Sequence, residues 1–263
     1  MTLDFSKPMT AYEFLAIILA AVAIIIPIVQ MIWKKWILQT KLNFYPTGRS
    51  LLFFNQSGSY IRIDGVYEAV HKSISVKKIG IRVIRQKDEV KLNLSWSSFI
   101  SPINQNMIGT YVKTTEAAHP FRIESDSIMC TFTEFGDPFD AYGKNFKLNT
   151  DVLFNEIPKI KKEYPDYNQA SAIYIQKKEY SDARNFLEKD LFWEIGKYTV
   201  EIDVEYNNTN KKFIYEISVG ENDFKGLSSN LDEALLSPLK SAYGIQWNYY
   251  TAIVELGNKK DAS

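Results

Sequence analysis

The sequence has few of the side chains from which catalytic and metal sites are usually built. Its 263 residues include one cysteine, Cys130, and two histidines, His71 and His119. A single thiol excludes an internal disulfide, and three such ligands are too few for a typical zinc site. Neither a G-x-G-x-x-G nor a G-x-x-x-x-G-K phosphate loop occurs. We therefore expect no cofactor and no histidine-dependent catalysis, and we expect Cys130 to face inward and pack as a small core residue.

The chain also lacks an excess of charge of either sign. Its 31 basic residues balance 31 acidic ones. Residues 1–49 carry five basic and two acidic side chains, a net charge of +3, so the remainder carries −3. A neutral to slightly acidic body has no electrostatic footprint for nucleic acid. We therefore expect no nucleic-acid partner.

One long apolar run stands out against this background. Phe14 to Trp33 reads FLAIILAAVAIIIPIVQMIW, which is twenty residues with no charge and one polar side chain, Gln30. A helix of this length reaches about 30 Å, the hydrocarbon thickness of a bilayer. Thr10 and Glu13 have the spacing of a capping box, which places the helix start just before the run. The sequence thus predicts a single transmembrane helix whose partner is the lipid bilayer.

The flanks of this run predict its orientation. Only Lys7 precedes it as a basic residue, which is too little for a cleaved signal peptide, so we expect a retained anchor. Basic residues are more numerous after the run, and cytoplasmic flanks carry an excess of Lys and Arg. The C-terminal body is therefore expected in the cytoplasm. Four residues at the end of the run are predicted to lie at the membrane interface: Trp33, Lys34, Lys35 and Trp36.

One face of the predicted helix carries small and polar residues at heptad spacing. These residues are Ala16, Ala20, Ala23, Pro27 and Gln30. Small side chains let helices approach closely in a bilayer, and an amide can hydrogen-bond across such an interface. The face is a candidate surface for homo-oligomerisation or for pairing with another membrane protein. The alternative, which we favour, is that alanine is common in such spans, Pro27 kinks the helix and Gln30 reaches the boundary.

After the anchor the apolar pattern changes to the alternation of β-strands. Tyr45–Gly48 contains Pro and Gly and is predicted to be a turn that closes the stalk, with strands from Leu51 onward. Lys77 and Lys78 fall out of step with the alternation around them, which indicates a β-bulge. Val200–Tyr206 and Phe213–Val219 alternate on either side of a polar turn, which predicts an antiparallel hairpin.

Other parts of the body are patterned less clearly. A short helix is predicted to begin at Ser181, and a second short helix is predicted to be capped by Asn230. We place no strands in residues 135–180, where Gly, Pro, Asn and Asp are frequent. Trp247–Leu256 is apolar and aromatic, and its periodicity fits either a strand or a helix.

At the level of fold these elements resemble an immunoglobulin-like sandwich. Trp96 sits where such domains place a core tryptophan, and Gly196-x-Tyr198 resembles the entry to the sixth strand, although the cysteine pair is absent. We therefore expect a mainly β protein in which a large insertion enlarges an antiparallel sandwich, or in which two sub-domains share its length. The expected divisions are a tail at 1–13, a transmembrane helix and stalk at 14–40, the sandwich at 50–220, and a short α/β coda at 221–263.

Two groups of residues in the body are candidates for binding or chemistry. A carboxylate group could hold Ca²⁺ or supply an acid–base pair, although we favour solvated loop charges; its members are Glu124, Asp126, Glu134, Asp137 and Asp140. Tyrosines in polar surroundings could form a recognition surface or a covering layer over the core; they are Tyr142, Tyr164, Tyr167, Tyr174 and Tyr180.

The sequence therefore predicts a single-pass, membrane-anchored binding protein that is not an enzyme. Its β-sandwich is expected in the cytoplasm, and the transmembrane helix is a candidate for oligomer formation. Three alternatives remain open at this point. The sandwich could face outward and bind a surface polymer or protein, the chain could be a signal-responsive membrane effector, or it could be a tethered hydrolase that uses Asp137 and Asp140.

Overall fold

A computed structural model of the chain describes residues 10–33, 38–107, 110–137 and 139–258, with the backbone alone described for 101–107 and 110–114. The first part of the chain forms one helix and seven strands: α1 (Ala11–Ile32), β1 (Lys41–Asn55), β2 (Gly58–Val70), β3 (Ile74–Arg85), β4 (Lys91–Met107), β5 (Thr110–Ala117), β6 (Phe121–Ile123) and β7 (Ser127–Gly136). The second part is mixed: α2 (Ala141–Asn155), α3 (Ile157–Glu163), α4 (Tyr167–Ile175), α5 (Lys178–Asp190), β8 (Gly196–Tyr206), β9 (Thr209–Val219), α6 (Glu221–Ala242), β10 (Ala252–Glu255) and β11 (Gly257–Asn258).

Helix α1 begins with the predicted capping box. The Thr10 backbone N–H donates to Glu13 Oε2 at 2.8 Å, and the Glu13 N–H donates to Thr10 Oγ1 at 3.4 Å. Its residues are apolar on every face, and none of them is buried against the rest of the chain. Among the described residues it is the one helix that is long and apolar enough to span a membrane.

The strands form one antiparallel sheet that is nearly closed on itself. Its order is β10-β1-β2-β7-β4-β3-β8-β9-β11, with β5 added to β4 and β6 to β3. The two outermost strands are consecutive in the chain, since β10 pairs with β1 and β11 pairs with β9. One segment therefore joins both edges of the sheet. Because an unpaired edge exposes hydrogen-bonding groups of the backbone, this arrangement removes most of the open edge.

This architecture is barrel-like, and the predicted immunoglobulin-like sandwich is not confirmed. A sandwich packs two separate sheets face to face, whereas here the described strands belong to one sheet. Alternate residues of β1, β2, β3 and β8 are buried within the sheet, among them Leu52, Ile61, Ile81 and Ile202. The mainly β prediction holds, and the error lies in how the sheet edges are joined.

Local predictions along the strands have mixed outcomes. The turn predicted at Tyr45–Gly48 is wrong, because these residues lie inside β1, where Pro46 pairs with Gly65 and the register shifts before Ser50. Pro and Gly here mark an irregularity within a strand, which is a structure they also favour. The bulge predicted at Lys77–Lys78 is confirmed by a register shift between Val76 and Lys78. The hairpin predicted around residues 207–212 is confirmed as β8 and β9.

The region without predicted strands is helical, and it lies between β7 and β8 as α2 to α5. The helix predicted from Ser181 exists and begins at Lys178. The cap predicted at Asn230 is wrong, because α6 runs from Glu221 to Ala242 and Asn230 is buried inside it. Asp223 supplies the first-turn carboxylate instead, accepting from the Gly220 N–H at 3.3 Å.

Buried side chains bond the helices to one end of the sheet. Trp193 is fully buried and donates from Nε1 to the Phe53 carbonyl at 2.9 Å. Asn230 donates to the Phe54 carbonyl at 3.0 Å and accepts from the Tyr250 N–H at 2.7 Å. Buried polar groups that satisfy several partners hold one arrangement, because losing any partner leaves an unpaired group. This end of the sheet is therefore sealed.

The opposite end of the sheet is the one where β1, the first strand after α1, begins. Strand β1 begins at Lys41, which pairs with Val70 at the end of β2. The β2–β3 turn, the start of β7 and the β8–β9 turn share this end, as shown by pairing of Ala69 with Ser127 and of Val76 with Tyr206. The sheet thus has a helix-covered end and an α1-proximal end.

Inside the sheet, an aromatic ring occupies the space that a side chain at Gly65 would need. A Cβ atom at Gly65 would lie 2.5 Å from two carbon atoms of the Phe44 ring. That ring is held by Tyr67, whose ring centroid is 4.5 Å away, and by Phe213 at 5.8 Å. The ring therefore has little room to move aside.

We predict that Gly65→Ala destabilises the chain by about 1–3 kcal/mol, because it overpacks this site. Gly80→Ala is the matched control, since Gly80 also lies in a strand and a Cβ there meets nothing within 4 Å. Urea unfolding of both variants in detergent provides the measurement. Equal stability of the two variants would contradict the tight packing of Phe44 on Gly65.

Candidate binding site where strand β4 leaves the sheet

Strand β4 changes neighbours along its length, and this opens the wall of the sheet. Its first part pairs with β3 from Lys91 to Ser95, and its middle pairs with β7 as far as Phe99. Beyond Phe99, its recorded partner is β5. In the described pairing, β7 residues 127–132 consequently have β2 on one side and no strand on the other.

Two β-bulges lie side by side at the point of departure. In β3 the register shifts between Val76 and Lys78, and in β4 it shifts between Trp96 and Ser98. Gly80 pairs with Ser95, so both irregularities fall within a few residues of the same rung. Bulges bend a strand and re-aim its side chains. Here the bulge in β3 leaves two consecutive lysines, Lys77 and Lys78, both exposed.

The first of two neighbouring clefts, the basic cleft, lies between these bulges and has a volume of about 160 Å³. It is lined by Lys77, Lys78, Ile79, Ser95, Trp96, Ala118, His119 and Pro120. The Lys77 ammonium donates to Asn208 Oδ1 at 2.6 Å. His119 Nδ1 lies 3.0 Å from the Ala117 carbonyl, which can only accept, so Nδ1 carries a proton.

The second, the apolar cleft, has a volume of about 250 Å³ and lies between β4 and β7. It is lined by Phe99, Ile100, Glu116, His119, Met129, Cys130, Thr131 and Phe132. The prediction that Cys130 packs inward is wrong, since its side chain is exposed. Strand alternation explains the error: Thr131, Thr133 and Phe135 are the buried residues of β7, so Cys130 belongs to the opposite face.

An aromatic cluster separates the clefts and connects them to the core. The Trp96 and Phe99 rings meet edge to face with centroids 4.5 Å apart, and Phe99 contacts His119 at 5.4 Å. Phe121 contacts both Trp96 and Phe99, at 5.8 and 5.7 Å. The Trp96 Nε1 atom is buried and has no acceptor among the described residues. The clefts thus share a wall of packed aromatic rings, with the Trp96 N–H left unpaired behind it.

The residues predicted to meet the membrane or another helix lie far from these clefts in sequence. Trp33 caps the C-terminus of α1 and is exposed, while Lys34, Lys35 and Trp36 lie outside the described residues. All five residues of the candidate association face lie within α1, and the helix continues through Pro27. Their role in association stays a prediction.

The predicted carboxylate group is divided by the structure. Glu124 and Asp126 precede β7, whereas Asp137 and Asp140 follow it, and ten strand residues span about 33 Å. Among the described residues, no group of three or more His, Cys, Asp or Glu side chains is arranged to hold a metal ion. The interpretation as solvated loop charges is wrong for Glu134, which lies half-buried within β7, and it needs an amendment for Asp137.

Asp137 organises the start of α2. Its carboxylate accepts from the backbone N–H groups of Ala141 at 2.7 Å, Phe139 at 3.0 Å and Tyr142 at 3.1 Å. Burial raises the pKa of this carboxyl, but the three backbone donors and Lys144 together outweigh burial and lower its pKa below the ordinary value of 3.8. Asp137 is therefore a capping residue.

We predict that Asp137→Ala costs about 1–2 kcal/mol of stability at neutral pH, because it removes this cap. A lowered folded-state pKa contributes stability that is present above 3.8 and lost as the pH falls through the lowered value. The difference between variant and parent should therefore shrink under acid. Thermal unfolding across pH measures it, with Asp182→Ala, an exposed site on α5, as the control. A pH-independent difference would contradict the charged cap.

The candidate tyrosines form a covering layer in part. Tyr174 is fully buried and donates to the Leu235 carbonyl at 3.2 Å, and Tyr180 is buried and donates to Asp232 at 2.9 Å. The interpretation as a recognition surface is therefore wrong for these two. Tyr142, Tyr164 and Tyr167 are half-buried and pack against the same core.

Five of the cleft residues stand out in the sequence, but nothing in the sequence groups them: Lys77, Lys78, Trp96, His119 and Cys130. The signal was available at Lys77 and Lys78, because a bulge near the start of a strand often marks a functional site. What the sequence does not show is that β4 leaves the sheet there, which brings His119 and Trp96 beside the lysines.

Comparisons with known proteins give no family for this chain. No family model matches the sequence, and no curated protein is similar to it. Among solved structures, a family 123 glycoside hydrolase from Clostridium perfringens is 9% identical, with a TM-score of 0.28 over 68% of this chain and 26% of the hydrolase. The sporulation control protein Spo0M from Bacillus subtilis is 9% identical, with a TM-score of 0.24 over 69% of this chain and 49% of Spo0M. At these TM-scores neither likeness carries an argument.

Proposed function

We propose that this protein is a single-pass, membrane-anchored binding protein without enzymatic activity. Its β-rich body faces the cytoplasm and takes a ligand at the two clefts where β4 leaves the sheet. The lipid bilayer is its first partner. The observation that carries the proposal is the complete exposure of α1.

The exposure of α1 supports a membrane role because its surface is apolar on all sides. Ile24 is 64% exposed and Met31 is 63% exposed, and no residue of the helix is buried by the body. A continuous apolar surface of this size is strongly unfavourable in water. Lipid chains would cover such a surface along the apolar run from Phe14 to Trp33.

The clefts support a binding role because they combine an apolar wall with a few polar groups. Such concave sites, formed at the ends of strands and on loops, are the usual places for ligands. The apolar cleft offers Phe99, Met129 and Phe132, and the basic cleft adds two ammonium groups. The two clefts share His119, so one ligand can contact both.

The orientation is tested with the exposed thiol of Cys130, which is the only cysteine of the chain. We predict that a membrane-impermeant maleimide leaves Cys130 unlabelled in intact cells and labels it after lysis. The physical reason is that the bilayer separates the reagent from a cytoplasmic body. Labelling is measured by mass spectrometry of the purified full chain.

The control places the thiol on the other side of the span. In a Cys130→Ser background, Tyr12→Cys introduces a thiol at a position that is 86% exposed and precedes the apolar run. It should be labelled in intact cells. The reverse pattern would overturn the cytoplasmic assignment and favour the outward-facing alternative, and extraction of the chain by alkaline carbonate would overturn the anchor itself.

We also propose that α1 associates with a second copy through its small-residue face. The face consists of Ala16, Ala20, Ala23, Pro27 and Gln30, and all of these residues lie on the uncovered helix. Close approach of helices in lipid requires small side chains, and Gln30 adds a hydrogen-bonding group.

We predict that Ala20→Leu and Gln30→Leu each reduce the cross-linked dimer of the full chain in membranes, because leucine separates the backbones or removes the amide. Ala21→Leu is the matched control, since residue 21 lies on a different face at 100° per residue. Cross-linked species are quantified by immunoblot. A loss of equal size in Ala21→Leu would contradict a specific face.

A further inference from the structure

The charged and titratable side chains that line the basic cleft are all basic. No carboxylate lines it, whereas Lys77, Lys78 and His119 do. Lys78 makes no ion pair with a described residue, although its partner across the β3–β8 register is Glu205. Elsewhere on β3, Arg82 pairs with Glu201 and Arg85 with Asp88. The charge at the cleft is thus left unneutralised.

The surrounding end of the sheet carries charges of both signs. Burial first, and then the nearby Lys41, lower the pKa of Lys211, which donates to the Leu42 carbonyl at 2.5 Å. The carboxylate of Glu68 at the same end is occupied by Asn43 Nδ2 at 2.8 Å and by Tyr45 Oη at 3.0 Å. The hydrogen bonds from Asn43 and Tyr45 lower the pKa of Glu68 and keep its carboxylate ionised, so the excess of basic groups is confined to the cleft itself.

The basic cleft lies at the end of the sheet where β1, the first strand after α1, begins. The Leu38 N–H donates to the carbonyl of Trp33, at the end of α1, at 3.0 Å, and three further residue steps, about 10 Å at full extension, lead to Lys41, where β1 begins. Lys77 lies near the start of β3, at the same end of the sheet as Lys41. The basic cleft is therefore tethered within reach of the headgroup layer.

We propose that the basic cleft binds a phosphate group, with Lys77 and Lys78 as the charged donors and Ser95 as a neutral donor. The inference rests on the proposed function, because it specifies the chemistry of the same binding site. Ammonium groups form strong charge-assisted hydrogen bonds to phosphate oxygens, and a hydroxyl can add a third bond. The Trp96 and Pro120 rings complete an apolar wall beside the charge. Either a lipid headgroup or a soluble phosphate compound can supply such a group.

The test measures the acylation rate of individual lysines in the full chain by mass spectrometry. In the first arm, the chain is held in micelles of dodecyl maltoside, a detergent without a phosphate group, and inorganic phosphate is added at constant ionic strength. In the second arm, phosphatidylglycerol is added to the micelles at the same ionic strength, and no free phosphate is present. We expect Lys77 and Lys78 to be protected about three- to tenfold in at least one arm, the effect of a charge-assisted bond at a partly exposed site.

Lys91 is the internal control, because it lies on β4 at the other end of the β3–β4 pairing and is exposed. Its rate should not change in either arm. Protection by inorganic phosphate identifies a site for soluble phosphate, and protection by phosphatidylglycerol alone identifies a headgroup site. If the rates at Lys77 and Lys78, like the rate at Lys91, do not change in either arm, the inference is overturned.

A pair of variants separates a site from general charge. Lys78→Gln should weaken the protection of Lys77 about three- to tenfold, whereas Lys91→Gln makes the same change in net charge and should leave that protection unchanged. Equal effects of both variants would overturn the inference. Protection of Lys77 and Lys78 is measured first in the unsubstituted chain. The inference can therefore be overturned even if a variant misfolds.

Failure of the inference and failure of the proposed function are distinguishable. If the lysines are unprotected while Cys130 labelling and carbonate resistance behave as expected, only the phosphate assignment falls. If the lysines are protected but carbonate extracts the chain, the anchored function falls and the phosphate site stands.

Discussion

The closure of the sheet by the last described residues is the constraint on which the rest of the body depends. Ala252–Glu255 pairs with β1 and Gly257–Asn258 pairs with β9, so a single short segment satisfies the backbones of both edges. Helix α6 positions this segment through Asn230, which bonds to Phe54 of β1 and to Tyr250 just before β10. Without this segment, two edges would offer unpaired N–H and C=O groups to other chains.

A proline in α6 leaves one backbone carbonyl without its helical donor, and a hydrogen bond from the sheet to that carbonyl fixes the helix. Pro238 has no N–H, so the Ala234 carbonyl four residues earlier lacks its helical donor. Gln56, in the β1–β2 turn, donates to this carbonyl at 3.0 Å and to Ser237 Oγ at 3.1 Å. The hydrogen bond that is missing inside α6 is thus replaced by a contact with the β1–β2 turn. This contact joins α6, which precedes the closing segment, to β1, with which that segment pairs.

What the sequence predicts well is local, and what it predicts poorly depends on distant pairing. The β8–β9 hairpin and the bulge at Lys77 follow from alternation over a few residues, and the capping box at Thr10 follows from one spacing. A sandwich and a closed sheet share the same alternation, and the difference lies in two short strands at the end of the chain. At the candidate site, the sequence pattern indicates a bulge at Lys77 and Lys78. It does not show that His119 and Trp96 lie beside these lysines, because the four residues meet only where β4 leaves the sheet.

The two ends of the sheet are suited to different tasks for the same physical reason. At the helix-covered end, Trp193 and Asn230 donate hydrogen bonds to buried carbonyls. Opening that end would therefore leave polar groups without partners. At the α1-proximal end, β4 separates from β7, bulges turn side chains outward, and β7 has one side without a strand in the described pairing. A ligand there displaces water instead of buried hydrogen bonds. Under the proposed function, binding at this end would break the fewest hydrogen bonds, and the proposed membrane anchor would hold this same end near the bilayer.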